Sequence, residues 1–228
     1  MLEALNATDT VCLRPVRNRS ATVYAVGAGL TSLSGLLVVQ RLVTKLLSRE
    51  LSIGLDDWST LVAMAIQASA TALLCIPGTA NGLGQDIWTL RPQQITDFLY
   101  YLYIFTAIYF VNLAIGKLSF LLFYLRIFPT RTVRQALWVT AVLVTVWGIV
   151  FLFLAIFQCS PISYYWNRWD GDHEGSCVNP SHIAWANSAF SICLDIWMIG
   201  IPLSQIRTMN MNWRKKLSIG AMFCVGLL

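Results

Sequence analysis

The sequence predicts an all-α, polytopic transmembrane helical bundle. Two observations come from composition: 57% of the 228 residues are hydrophobic and only 12% are charged, whereas a soluble domain carries about 25% charged residues. The third is a series of apolar stretches that reach the roughly 20 residues a helix needs to cross a bilayer. A bilayer is therefore expected as the main solvent and partner of the chain. The net charge of +5 is interpreted as a topology signal, and no nucleic-acid partner is expected.

Five stretches are long enough to span a membrane, and a sixth is not. The predicted spans are residues 21–43, 59–77, 97–128, 136–157 and 182–203. The last stretch, LSIGAMFCVGLL, begins at Leu217 and rises only about 18 Å as a helix, which is too short to cross. A partial terminal helix and a truncated longer architecture both explain it, and we favour truncation. Residues 1–20 are then a tail outside the membrane, and residues 21–228 are one transmembrane domain that is incomplete at its C-terminus.

Basic residues near the span ends predict the orientation. The loops after odd-numbered spans, with their helix ends, hold ten of the 16 Lys and Arg residues, and the opposite side holds five. The excess places the odd loops in the cytoplasm and the N-terminus in the lumen or outside the cell, although three arginines just before the first span oppose this. The sequons at Asn6 and Asn18 agree, because both are glycosylated only on the lumenal side. We expect a multi-pass glycoprotein of the plasma membrane or an endomembrane.

One lysine and one aspartate lie deep inside predicted spans. Lys117 lies nine residues before Arg126, at the cytoplasmic end of the third span, and Asp195 lies nine residues before Ser204, at the cytoplasmic end of the fifth. Nine residues correspond to about 13 Å of helical rise. Since both helices run in the same direction, the two charges are expected at the same depth, near the middle of the membrane.

A Lys117–Asp195 pair facing the bundle interior is therefore predicted. An isolated charge at this depth costs at least about 2.5–3.5 kcal/mol, and pairing offsets that cost. Asn187, Ser191 and Asp195 are spaced four apart on one helix face, and Asn112 could extend the same polar cluster. Two interpretations are open: an ion pair that only fixes helix packing, or a polar centre that binds a ligand or a proton.

The cysteines predict a disulfide in the loop after the fourth span. Four of them, Cys12, Cys75, Cys159 and Cys177, lie on the side expected to be oxidising, and four cysteines allow three complete pairings. Cys159–Cys177 closes the shortest loop and is preferred. The alternative is a set of free, buried thiols.

Known catalytic motifs are absent from the sequence. It contains no Ser/His/Asp arrangement, HExxH, CxxC or nucleotide fingerprint, and its two histidines, His173 and His182, lie in or beside the loop after the fourth span. We expect no metal and no cofactor. Enzymatic activity, if present, would be membrane-embedded acid–base chemistry by Lys117 and Asp195. Asp56 and Asp57, at the start of the second span, are interpreted as caps of the helix N-terminus.

Several motifs in sequence order resemble those of a known family. They are RLVTKLLSRELSIGLDDWSTLVA, NGLGQDIW, GKLSFLLFYLRIFP, FQCSPISYYWN, GSCVN and DIWMIGIPL. Over residues 24–228 the chain is similar to the fungal rhodopsin-domain family of receptor-like membrane proteins. The resemblance implies a seven-helix bundle with an outer N-terminus, here truncated in the sixth helix. It also implies that Lys117, Asp195, Cys159 and Cys177 are family motif residues.

The resemblance implies two classes of function. Many family members are named for their likeness to G-protein-coupled receptors, and others are encoded in secondary-metabolite clusters, including clusters for trichothecene-type toxins. Gln85 stands where the family often has histidine, and relative to the family's seven helices we expect the seventh helix and most of the sixth to be missing. The family name suggests retinal, but a retinal Schiff base lies on the last helix of rhodopsins and Lys117 lies on the third, so no chromophore is expected.

Three functional hypotheses follow. The first is an accessory, chemically unassigned role in a mycotoxin-type biosynthetic pathway. The second is a receptor-like sensor of a small extracellular or lipophilic ligand. The third is an inactive truncated relic. The first two hypotheses allow a lipophilic small molecule as ligand, and the open flank of a five-span bundle is compatible with a membrane-protein partner or a second copy of the chain.

Overall fold

The structure, a computed structural model, describes residues 17–47, 54–128 and 130–208, with side chains described to residue 203. Its elements are α1 (Ser20–Leu47), α2 (Leu55–Leu73), α3 (Pro92–Ile127), α4 (Arg131–Ile156), β1 (Cys159–Ser160), α5 (Tyr164–Asn167), β2 (Ser176–Cys177) and α6 (Pro180–Thr208). A π-helical turn, Leu74–Gly78, extends α2, and a 3-10 turn, Ile87–Thr89, precedes α3. Asn6, Cys12 and the apolar stretch from Leu217 lie outside the described residues.

In the described ranges five helices are long and apolar enough to cross a membrane, which confirms the predicted all-α fold. Their bounds are wider than the apolar stretches. Helix α3, for example, begins at Pro92 and not at residue 97. Proline suits the first helical turn because that turn needs no intrahelical N–H partner, and Gln94 Oε1 accepts the Arg91 N–H at 2.9 Å. This polar first turn carries no hydropathy signal, so the apolar stretch begins later than the helix does.

Helix α3 is the centre of the bundle. It packs between α2 and α4, while α1 packs on α2 and α6 packs mainly on α4. Two buried clusters fill the α3–α4 side: the first contains Leu121, Tyr124, Phe128, Val133, Leu137, Val144 and Met198, and the second contains Phe110, Trp147, Phe151 and Ala155. Many large apolar side chains remain on the outside, such as Leu36 (67% exposed) and Trp185 (77% exposed). That surface suits lipid as solvent.

Helices α3 and α4 approach closely at a glycine. A Cβ added to Gly148 would lie 2.6 Å from the Cβ of Ala114, well inside van der Waals contact. Small residues at such a crossing let two backbones approach in a membrane, where lipid supplies no hydrophobic force to drive helices together. Gly148 thus sets the spacing of the central helix pair.

One end of the bundle carries a small β-hairpin and is called the hairpin end below. Strands β1 and β2 pair antiparallel, with Cys159 opposite Cys177. The rings of Tyr165 and Trp166 pack on Tyr103 of α3, with centroids 5.4 and 5.7 Å apart. The loop between the strands is thereby fixed to the central helix.

The start of α1 also lies at the hairpin end. The Arg19 N–H donates to the Gly84 carbonyl at 2.8 Å, and Ser20 Oγ donates to the Leu83 carbonyl at 2.9 Å. Gly84 has φ +83°, and a Cβ there would lie 2.9 Å from the Ser20 nitrogen. Glycine is required because the backbone is left-handed and the start of α1 lies directly against it. The opposite end, where α2 begins, is called the Asp56 end.

Candidate functional site

A lysine and an aspartate form an ion pair between the third and the last of the long helices. Lys117 Nζ donates to Asp195 Oδ1 and also to the Ser191 carbonyl oxygen at 3.3 Å. The ammonium lies 5.7 Å from the centroid of the Trp147 ring, a distance at which the ring face attracts a cation. Lys117 is buried, whereas the Asp195 side chain is 40% exposed. The structure therefore brings together the two charges that the sequence places at equal depth.

Lys117 and Asp195 differ in how enclosed they are, and this decides which of them a ligand can reach. Lys117 Nζ is enclosed by a carboxylate, a carbonyl oxygen and an aromatic face. The Asp195 carboxylate has one oxygen on Lys117 and a partly open surface. A hydroxyl or carbonyl group of a ligand could exchange hydrogen bonds with this pair, and the pair could also move a proton.

Beside the ion pair lies a cleft of about 520 Å³ between α1, α2, α3 and α6. It is lined by Arg41, Thr60, Ala63, Asn112, Leu113, Gly116, Lys117, Ser119, Phe120, Phe123, Tyr124, Ile127, Phe128, Ser191, Asp195, Met198 and Ile199. A mostly apolar wall with a few convergent polar groups is typical of small-molecule sites, and the volume is in their usual range. At Gly116 the wall is open, because a Cβ there would meet no atom within 4 Å.

The other three predicted polar residues, Asn112, Ser191 and Asn187, differ in how they are placed relative to the cleft. Asn112 lines the cleft and its Nδ2 donates to Gln67 Oε1 of α2 at 2.7 Å. Its Oδ1 is buried and has no hydrogen-bond partner among the described residues. Ser191 takes part through its backbone carbonyl. Asn187 is buried, does not line the cleft, and its Oδ1 has no partner in the described ranges. The structure therefore groups Lys117, Asp195, Ser191 and Asn112, and leaves Asn187 apart.

A second charged group, not predicted from the sequence, lies at the Asp56 end of the cleft. It consists of Asp56 and Asp57 of α2, Arg41 and Lys45 of α1, and Arg126 of α3, and is called the ion cluster below. Its nitrogen–oxygen distances are 2.8 Å for Arg41–Asp56, 3.4 Å for Arg41–Asp57, 3.1 Å for Lys45–Asp56, 2.5 Å for Lys45–Asp57, 3.1 Å for Arg126–Asp56 and 3.8 Å for Arg126–Asp57. The cluster ties three helices together with a formal charge of +1.

The ion cluster includes, and exceeds, the predicted helix cap. Asp57 Oδ2 accepts the Gly54 N–H at 3.0 Å, as a capping residue does. In the sequence the cations indicate only topology, because nothing there says that the ends of α1 and α3 flank the start of α2. The sequence feature that points to such a cluster is the pair of adjacent aspartates beside an apolar span, because unpaired carboxylates would be costly there.

The predicted cysteine pair is joined at the hairpin. Cys159 and Cys177 form a disulfide across the β1–β2 register. Of the described cysteines, Cys75 is a buried free thiol and Cys193 an exposed one. In the same loop, desolvation opposes ionisation of Asp170, but hydrogen bonds from the Asp172 N–H and His173 Nδ1 outweigh it and lower the pKa of Asp170. The loop carboxylate is therefore satisfied by its own neighbours.

Comparison with known proteins assigns the family. A model of the fungal rhodopsin domain matches residues 40–228, which is most of the chain. The chain belongs to the fungal rhodopsin domain family. This confirms the resemblance seen in the motifs, and it assigns to this fungal rhodopsin-domain protein a multi-pass membrane architecture.

Two curated relatives are similar to this fungal rhodopsin-domain protein. A SAT4 family membrane protein of Emericella nidulans is 25% identical over 179 residues, which is 75% of this chain and 46% of the relative. The satratoxin biosynthesis SC1 cluster protein 4 of Stachybotrys chartarum is 25% identical over 121 residues, which is 53% of this chain and 44% of the relative. The matches thus span less than half the length of either relative. No solved structure matches the chain.

Proposed function

We propose that this fungal rhodopsin-domain protein has an accessory role in a fungal secondary-metabolite pathway, in which it holds a lipophilic pathway compound in the cleft between α1, α2, α3 and α6. The observation that carries the proposal is the Lys117–Asp195 pair on the wall of an apolar cleft of about 520 Å³. An ion pair needed only for packing could be fully enclosed, but the Asp195 side chain is 40% exposed. The name of the Stachybotrys relative, a satratoxin cluster protein, supports the pathway context.

The role assigned to each group follows from its position. Lys117 is the donor and Asp195 the acceptor for a polar group of the compound. Phe120 and Phe123 face its apolar body, and Asn112, which donates to Gln67 Oε1, adds a polar group to the wall. Chemistry beyond binding would be proton transfer at the Lys117–Asp195 pair.

The test combines deletion with a cleft-filling variant. Deletion in the fungus that encodes the chain should change the profile of lipophilic secondary metabolites, and wild-type complementation should restore it. Gly116→Leu fills the open wall of the cleft and should fail to restore the profile. Gly29→Leu is the matched control, because Gly29 is exposed on α1, also has open space at its Cβ and does not line the cleft. An unchanged profile after deletion, or full rescue by Gly116→Leu, contradicts the proposal.

A second candidate function is a receptor-like sensor. The observation that favours it is that Arg41 belongs both to the cleft wall and to the ion cluster, so an occupant of the cleft touches a group that ties helix ends together. Ligand-dependent G-protein coupling of the full chain in a heterologous cell is the test. Silence across G-protein partners and a metabolite library counts against it. An inactive relic, the third hypothesis, would show neither coupling nor a metabolite change.

The orientation is part of the proposal: the N-terminus and the hairpin end face the lumen or the outside. The disulfide at the hairpin supports this, since disulfides persist in oxidising compartments. So do the excess of basic residues at the Asp56 end and the sequons at Asn6 and Asn18. An N-terminal epitope tag should be protected from protease in sealed microsomes and lost when they are opened. A tag digested in sealed microsomes reverses the orientation.

A further inference from the structure

The cleft carries a cation at one end as well as a polar pair near its middle. Arg41 lines the cleft and its guanidinium lies 5.3 Å from the centroid of the Phe123 ring, another lining residue. Its contacts to Asp56 and Asp57 use Nη2 and Nε, and a guanidinium has five N–H donors in all. Arg41 can therefore bind a further acceptor in the cleft without leaving the cluster.

In the ion cluster the aspartates are buried and the arginines are partly exposed, so the outer surface of the cluster is positive. The side chains of Asp56 and Asp57 are 3% and 0% exposed, whereas those of Arg41 and Arg126 are 34% and 32% exposed. The carboxylates lie beneath the guanidinium groups, and the whole cluster carries one excess positive charge. A ligand approaching along the cleft meets arginine and not aspartate, so the site favours an anionic group.

The two polar positions of the cleft are separated by a mainly apolar stretch of wall. Arg41 and Arg126 bond the same carboxylate, Asp56, and so lie at a similar depth. Lys117 lies nine residues before Arg126 on α3, which is about 13 Å of rise. The wall between them is formed largely by Phe120, Phe123 and Tyr124. The cleft thus presents, in order, a cation, a mainly apolar wall and a hydrogen-bonding ion pair.

We infer that the ligand of the cleft is an anionic amphiphile, with its carboxylate or phosphate head on Arg41 and its apolar body along α3 towards Lys117 and Asp195. This inference rests on the proposed function and specifies the chemical class of the compound. The head is an oxyanion in either form, because both carboxylate and phosphate accept paired hydrogen bonds from a guanidinium. A neutral lipophile would leave the Arg41 position unused, and a cationic amphiphile would be repelled there.

The experiment compares head groups on one tail. The purified full chain in a neutral detergent is mixed with hexadecanoate, hexadecyl phosphate, hexadecanol or hexadecyltrimethylammonium, and bound probe is counted by native mass spectrometry. At least one of the two anionic probes should bind about tenfold more tightly than hexadecanol, which is the effect of one charge-assisted hydrogen bond. Hexadecyltrimethylammonium should bind most weakly. Preference for the carboxylate indicates a fatty-acid-like ligand, and preference for the phosphate indicates a phospholipid-like one.

Three variants locate the effect. Arg41→Gln should abolish the preference for the anionic head, while Arg131→Gln should keep it, because Arg131 is exposed at the start of α4 and is not part of the cleft lining. Gly116→Leu should weaken every probe. Equal binding of hexadecanol and both anions by the wild type, or a preference that survives Arg41→Gln, overturns the inference alone. If Gly116→Leu leaves probe binding unchanged, the probes do not bind in the cleft, and both the inference and the proposed function are contradicted. If Arg41→Gln fails to fold, the wild-type comparison of heads still decides.

Discussion

Lys117 and Asp195 are ion-paired although they lie 78 positions apart and on helices that are not main packing partners. Helix α6 packs chiefly on α4, and its polar contact with α3 is made by this pair together with the Ser191 carbonyl. The pair therefore holds the wall of the cleft in place as well as supplying its polar groups.

Removing one partner of the pair should cost more than removing both. Lys117→Met leaves the Asp195 carboxylate unpaired in an apolar setting and should lower the free energy of unfolding by about 2 kcal/mol. This is less than the 3–5 kcal/mol of a fully buried pair, because Asp195 is partly exposed. The double variant Lys117→Met/Asp195→Leu should recover most of the loss. Denaturant unfolding in detergent gives the free energy of unfolding of Lys117→Met, Asp195→Leu and the double variant. If the losses of the two single variants add up to the loss of the double variant, the two residues are not coupled.

The ion cluster should be more sensitive to loss of an aspartate than any exposed site. Asp57→Asn leaves three cations against one buried carboxylate, and we expect a loss of about 3–5 kcal/mol of unfolding free energy. Asp97→Asn is the control, since it makes the same change at an exposed position near the start of α3. Thermal unfolding of the two variants should separate them clearly. Similar midpoints would mean that the cluster does not join the three helices.

Sequence alone accounts for the spans and for the central pair, but not for the cluster. Apolar runs of about 20 residues reveal spans directly, and counting helical rise places Lys117 and Asp195 at one depth. The ion cluster needs the order of helix packing, which brings Arg41 and Arg126 to Asp56 from two different helices. The same holds for the contact between Asn112 and Gln67. Helix neighbours are set by side-chain packing at crossings such as Gly148, which hydropathy does not reveal.

The crossing of α3 and α4 should not tolerate a larger residue at position 148. Gly148→Ala would place a Cβ 2.6 Å from that of Ala114 and should destabilise the bundle by about 1–3 kcal/mol through overpacking. Ala114→Gly in the same chain removes the clash and should restore most of the stability. Gly29→Ala, with open space around it, is the control. A Gly148→Ala chain as stable as the wild type would disprove the close crossing.

The hairpin disulfide should be stabilising. The Cys159–Cys177 bridge closes a loop of 18 residues, and a loop of this size is worth about 3 kcal/mol by the chain-entropy model. Cys159→Ala and the double variant Cys159→Ala/Cys177→Ala should therefore lower thermal stability to the same extent, and Cys193→Ala should not. Alkylation without reductant, read by mass spectrometry, should leave Cys159 and Cys177 unmodified. Their modification in the folded, unreduced chain would exclude the bridge.

The most direct measurement of the central claim is a solid-state NMR distance between lysine side-chain nitrogen and aspartate side-chain carboxyl carbon in bilayers. With 15N-lysine and 13C-aspartate labels, the wild type should show dipolar coupling from the two lysines that are ion-paired in the described ranges, Lys117 to Asp195 and Lys45 to Asp56 and Asp57. Lys117→Met should remove the first coupling and keep the second. A spectrum that Lys117→Met leaves unchanged, with the Lys45 signal intact as reference, would show that Lys117 and Asp195 do not meet.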